Sequence, residues 1–131
     1  MIALDTNIVV RFLVHDEPVQ TAKALSLMQS LTAEEPAWIS LAVILELTWV
    51  LTKGYRIGRL EIVRILKNLL SRKEIVLEQP EVLHKAIDIY RKTNVSFTDS
   101  LISASAQANG YTQIFTFDQD AAKAAGMTLL R

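Results

Sequence analysis

Four carboxylates stand out in this 131-residue chain because local structure alone does not account for them: Asp5, Glu46, Asp99 and Asp118. Asp5 follows the short apolar stretch "IAL" and precedes Thr6 and Asn7, which readily bond nearby backbone groups. It therefore stands where a strand ends and a helix begins, and it serves equally as a helix cap or as a group presented at a sheet edge. Asp118 follows "TQIFTF" in the same way, and Thr116, two residues earlier, shares its side of the strand. From Leu41 to Leu51 only Glu46 and Thr48 are polar. A helix this apolar predicts extensive burial, and a buried carboxylate demands a partner or a cation. The alternative for Glu46 is a narrow exposed stripe or a pairing with Lys53. Asp99 lies at a helix start, where the helix field favours an ionised acid with or without a further role.

Were the four to converge, their mutual repulsion would force at least one to hold a proton unless a divalent cation joined them. All-oxygen donors favour Mg²⁺ or Mn²⁺ over zinc or copper. The chain has no cysteine, and its two histidines, His15 and His84, lack a zinc spacing. A cation on carboxylates activates water and stabilises charge on a phosphoryl group.

The charge distribution points to a matching substrate. Formal net charge is zero, yet Lys53, Arg56, Arg59, Arg64, Lys67, Arg72 and Lys73 fall within a stretch whose one acid is Glu61. This run is either the solvated face of a helix or a polyanion-binding surface. With the carboxylates it suggests a nucleic acid phosphodiester, with Lys53, Arg56 and Arg59 as candidate phosphate contacts.

The elements that must position these groups follow from periodicity and caps. "IVVRFLVH" suits either a strand or a helix capped by Thr6 or Asn7. "VQTAKALSLMQSL" has helical spacing. "AWIS" reads as a strand, and Ser40 can cap the run after it. "RLEIVRILKNLLSRK" is an amphipathic helix with Leu60, Ile62, Val63, Ile65, Leu66, Leu69 and Leu70 opposite its basic side. "IVL" at 75–77 is a strand, and Pro80 opens a helix. "SFTDSLISASAQANG" is a helix with Ser96 or Thr98 as cap and Gly110 as stop. "TQIFTFD", "QDAAKAAG" and "MTLL" add a strand, a short helix and a last strand. Alternation of this kind predicts one α/β domain over 1–131, a parallel sheet with helices on both faces. The apolar run "AWISLAVILELTWVL" is too short to cross a bilayer and contains Glu46. The absence of cysteine and of a basic-then-apolar opening fits a cytoplasmic location with no membrane partner.

The segments "LDTNIVVRFL", "LAVILELTWVL" with the following "GY", "FTDSLISASAQANG" and "IFTFDQD", in this order and spacing, resemble the PIN-domain proteins of the VapC-like toxin group. The resemblance implies a three-layer α/β/α fold whose sheet has about five parallel strands, ordered 3-2-1-4-5, with helices on both faces. It resolves "IVVRFLVH" as helix and makes the strands before Asp5 and Asp118 neighbours. It implies a metal-dependent ribonuclease, the toxin of a type II toxin–antitoxin pair. Asp5, Glu46, Asp99 and Asp118 would be catalytic, with Asp5 and Asp99 as principal Mg²⁺ (or Mn²⁺) ligands and Asn7 and Thr116 in support. It further implies a homodimer, an RNA substrate and a cognate antitoxin. Two rival readings remain. A phosphatase of the haloacid-dehalogenase type also has Asp after its first strand but needs a second Asp where Asn7 stands. A non-catalytic RNA- or partner-binding module would bind without cleaving.

Overall fold

The computed structural model describes all 131 residues, which divide into two compact units, Met1–Glu78 and Gln79–Arg131. The first unit runs β1 (Ile2–Ala3), α1 (Thr6–Leu13), α2 (Pro18–Ser30), β2 (Ala37–Ile39) and α3 (Leu41–Trp49). A π-helical turn (Val50–Gly54), α4 (Arg59–Ser71) and β3 (Ile75–Leu77) complete it.

Its three strands form a parallel sheet in the order β1-β2-β3, with Ala37 opposite Ile75 and Ile39 opposite Leu77. Alternation sorts their side chains: Ala37, Ile39, Ile75 and Leu77 are buried, whereas Trp38 and Val76 on the other face are 42% and 46% exposed. The segment "IAL" is buried only at Leu4; Ile2 and Ala3 are exposed, and β1 pairs with β2 alone. Val9 and Val10 of α1, Ile44 and Leu47 of α3, Leu51, and Ile62, Leu66 and Leu69 of α4 are buried core residues of this unit. Helix α4 has the amphipathic face that periodicity predicts, with one exception. Leu60, in its first turn, is 77% exposed, since its position falls outside the stripe through Ile62, Val63, Leu66 and Leu69.

Local chemistry sets the helix starts. "IVVRFLVH" is indeed helical, but its cap is Asp5 rather than Thr6 or Asn7: Asp5 Oδ1 accepts the Thr6 N–H at 2.7 Å. Ser40 Oγ accepts the Val43 N–H at 3.1 Å, and Glu78 Oε1 accepts that of Leu41 at 2.8 Å, so two orphan donors of α3 are satisfied.

The second unit contains α5 (Pro80–Lys92), α6 (Phe97–Ala108), β4 (Phe115–Thr116), α7 (Gln119–Ala124) and β5 (Thr128–Leu129). Helices α5 and α6 pack together, and Tyr90 meets Phe97 edge to face with ring centroids 5.6 Å apart. A smaller apolar cluster joins Val95, Ala121, Ala125 and Met127. Ser96 caps α6 by accepting the Asp99 N–H at 3.1 Å. Gly110 ends it: at φ 87 it takes the left-handed conformation, its N–H bonds Gln107 O and the Tyr111 N–H bonds Ala106 O, the paired bonds of a Schellman closure. Strands β4 and β5 pair in parallel.

The five strands thus form two hydrogen-bonded sheets, β1-β2-β3 and β4-β5, rather than one continuous ladder. Within each sheet the neighbours are those of the 3-2-1-4-5 order. The β1 and β4 strands have only two residues each, so each carries few ladder groups. No helix is long and apolar enough to cross a membrane.

Candidate active site

Asp5 caps α1 with a single oxygen, Oδ1. The residue lines a cavity of about 490 Å³ in the first unit. Asp5, Thr6, Asn7 and Arg11 line one side of this cavity, and Glu46 lines it from α3. The two carboxylates share a space although 41 positions of sequence, Asp5 to Glu46, separate them.

Glu46 departs from expectation in one respect. Helix α3 is not buried all round: Ala42, Glu46 and Trp49 form an exposed stripe at helical spacing, so Glu46 incurs no burial cost. It is exposed and lines the cavity. Thr6, by contrast, is 5% exposed and its hydroxyl has no hydrogen-bond partner in the protein. An unsatisfied buried hydroxyl costs about 1–3 kcal/mol.

The far wall comes from the π-helical turn. The wider turn closes through the Tyr55 N–H to Val50 O at 3.2 Å, and both Val50 and Tyr55 line the cavity. π-Turns of this kind are rare and recur at functional sites. The Tyr55 hydroxyl donates to Asp16 Oδ2 at 2.8 Å, and Arg11 reaches both: Nη1 lies 3.4 Å from Asp16 Oδ1 and 3.4 Å from the Tyr55 hydroxyl. Arg11 Nε donates to Gln20 Oε1 at 2.8 Å. Sequence reasoning gave Arg11, Asp16 and Tyr55 no role. A signal was present: Arg11 is the one charged side chain of α1, four residues after Asn7 and therefore on its face.

The basic candidates Lys53 and Arg56 are exposed on the segment that carries Tyr55, and Arg59 opens α4; none of the three lines the cavity. Arg56 holds a left-handed backbone at φ 56, which turns the chain between the π-helical turn and α4.

In the second unit, Asp99 lies half-buried in the first turn of α6. Asp118 caps α7: Oδ1 accepts the N–H groups of Asp120 at 2.8 Å and Ala121 at 3.1 Å. The capping role falls to Asp118, and Asp120 sits in the helix's first turn. Thr116 Oγ1 accepts the Asp118 N–H at 3.0 Å, so it braces the turn that holds the carboxylate. In neither unit do three acidic or imidazole side chains come within metal-holding distance of one another.

The donor chemistry of the first cavity nevertheless fits a hard divalent cation. It offers two carboxylates, the Asn7 amide and no thiolate or imidazole, the oxygen-rich set that Mg²⁺ and Mn²⁺ favour.

Strand-to-helix carboxylates on parallel strands, in this order along the chain, define a class. The PIN domain family model matches residues 2–127, and the chain belongs to that family and has its α/β fold. Among known relatives, it is 28% identical over 116 residues to the VapC ribonuclease of Aquifex aeolicus (strain VF5), an overlap of 87% of this chain and 84% of that protein. A structural likeness to the crystal structure of FitAcB from Neisseria gonorrhoeae covers 100% of this chain and 97% of that one, at 21% identity and a TM-score of 0.36.

Proposed function

We propose that this protein is a metal-dependent ribonuclease and the toxin of a type II toxin–antitoxin pair. The observation that carries the reading is the meeting of Asp5 and Glu46 at one cavity in a chain that belongs to the PIN family. The likeness to a VapC ribonuclease supports RNA as the substrate.

In this proposal Asp5 and Asp99 are the principal ligands of Mg²⁺ or Mn²⁺, and Glu46 and Asp118 complete the acidic set in a single domain. The cation, when bound, supplies Lewis acidity that lowers the pKa of water and offsets charge on the phosphate. Asp5 contributes a carboxylate fixed in direction, because Oδ1 is tied to the Thr6 N–H. Glu46, exposed on α3, orients the attacking water and accepts its proton. Asn7 and Thr116 steady the two strand-end turns. Lys53, Arg56 and Arg59 contact flanking phosphates. The partners are RNA, a cognate antitoxin protein that covers the active site, and a second copy of the chain in a cytoplasmic homodimer.

The test is incubation with total cellular RNA in Mn²⁺, Mg²⁺ or EDTA, followed by sequencing of new ends. Cleavage with either cation and none in EDTA supports the reading. Binding to RNA that persists in EDTA with no cleavage in any condition replaces it with a binding module. Release of phosphate from small phosphomonoesters without RNA cleavage replaces it with a phosphatase.

A further inference from the structure

A second cavity, about 410 Å³, adjoins the first and shares two wall residues with it, Asn7 and Arg11. It lies between α1 and α2, with Ile8, Ala24 and Leu27 as its apolar part and Gln20 and Lys23 as its polar part. The two cavities differ in charge. The first holds Asp5 and Glu46; the second has no carboxylate in its lining and carries Lys23, and Arg11 stands in the wall common to both.

Arg11 is held unevenly. A guanidinium presents five N–H donors in a planar fork. Here Nε is tied to Gln20 at 2.8 Å, and Nη1 makes two long contacts of 3.4 Å, to Asp16 and Tyr55. Nη2, with two N–H groups, takes no partner from the protein. The side chain is only 25% exposed, so most of its water has been removed, and the carboxylate it pairs with, Asp16, lies 3.4 Å away, long for a charge-assisted hydrogen bond. A bridge built only to staple α1 to the following loop would use the fork on Asp16 in bidentate fashion. Instead, Nε and Nη1 are engaged by three different side chains and Nη2 by none.

We propose that Arg11, with Lys23 beyond it, holds backbone phosphates of RNA next to the cleaved bond, so that the strand runs from the carboxylate cavity into the pocket between α1 and α2. Asp16, Gln20 and Tyr55 are positioning residues that set the plane of the guanidinium. The identity of the ligand rests on the ribonuclease reading above; the assignment of Arg11 and Lys23 rests on the geometry of the two cavities.

The experiment measures binding, separately from cleavage. A fluorescein-labelled 2′-O-methyl oligoribonucleotide of mixed sequence, which resists cleavage, is titrated with the full chain at several KCl concentrations. Each phosphate contact on a single strand contributes about 0.7 to the slope of log affinity against log salt. Arg11→Gln should weaken binding about tenfold and lower the slope by about 0.7, one charged contact. Arg11→Lys should keep the slope. Tyr55→Phe should weaken binding while leaving the slope unchanged, since it removes no charge. Lys23→Ala, at an exposed position unconnected to the hydrogen-bond network, should lower the slope by the same 0.7 or so and tests the path even if Arg11→Gln fails to fold. Unchanged affinity and slope in both Arg11→Gln and Lys23→Ala, or no binding by the parent, overturns the inference. Cleavage of cellular RNA by the parent in the Mn²⁺ assay shows in those cases that the ribonuclease reading survives.

Discussion

The two units solve the same local problem with different residues left over. Each has an aspartate at a strand-to-helix junction, Asp5 before α1 and Asp118 before α7, and each aspartate caps its helix. Asp118 Oδ1 takes two backbone N–H groups, and its own N–H is braced by Thr116. Asp5 Oδ1 takes one, and the residue faces a cavity with Glu46, Asn7 and Arg11. A cap of this kind occupies one oxygen of the carboxylate and leaves the other for the chemistry proposed above. What separates the two junctions is the company around them: a polar cavity in the first unit, an exposed turn in the second.

The largest effect is expected where the cap and the charge can be pulled apart. Asn caps a helix about as well as Asp, so Asp5→Asn should retain the fold. Loss of the charge should lower RNA cleavage at least ~100-fold, about 2.7 kcal/mol of barrier. Single-turnover cleavage alongside circular dichroism checks this; a variant as active as the parent removes Asp5 from the site. Asp99→Asn, a first-turn residue whose side chain is not the cap, should lose activity to a similar extent with little change in stability. Equal activity there would confine the chemistry to the first unit.

Next in size is the platform beneath Glu46. Leu47 is wholly buried on α3, and Leu47→Ala should cost about 2–5 kcal/mol, read as a shift in the urea midpoint. A shift well below that range would mean that α3 can collapse onto its neighbours. The second junction should yield less. Asp118→Ala removes the α7 cap and should destabilise by about 1 kcal/mol, whereas Asp118→Asn should be near neutral for stability. Loss of cleavage in Asp118→Asn would support its place in the proposed acidic set, and parent-like cleavage would remove it. Smallest of all is the exposed pair between Arg64 and Glu61 at 2.7 Å. Glu61→Gln should change stability by no more than about 0.5 kcal/mol, and a larger loss would mean that the basic side of α4 is under electrostatic load.

Much of the fold was legible because it is written in short-range chemistry. Ser40, Ser96 and Gly110 each act at the helix end where sequence places them. The apolar spacing of α4 marks its buried face, with Leu60 as the exception. Of the site, the junction carboxylates could be found because strand-to-helix turns have a recognisable grammar. For Glu46 the sequence left two readings, a buried charge or a narrow exposed stripe, and the structure decides for the stripe: it sits on the exposed side of a helix buried on its other side. Apolar composition cannot tell full burial from burial of most of a helix.

By itself the sequence determined the elements, their ends and the acidic residue types at strand ends, since caps, turns and periodicity depend on neighbours within about four positions. Only tertiary structure decided which distant side chains share a space. Glu46 meets Asp5 at one cavity, and Tyr55, just after the π-helical turn, reaches Arg11 from 44 positions along the chain. No local rule encodes that meeting; it is set by how α1 and α3 pack and by the few hydrogen bonds that close a single wide turn.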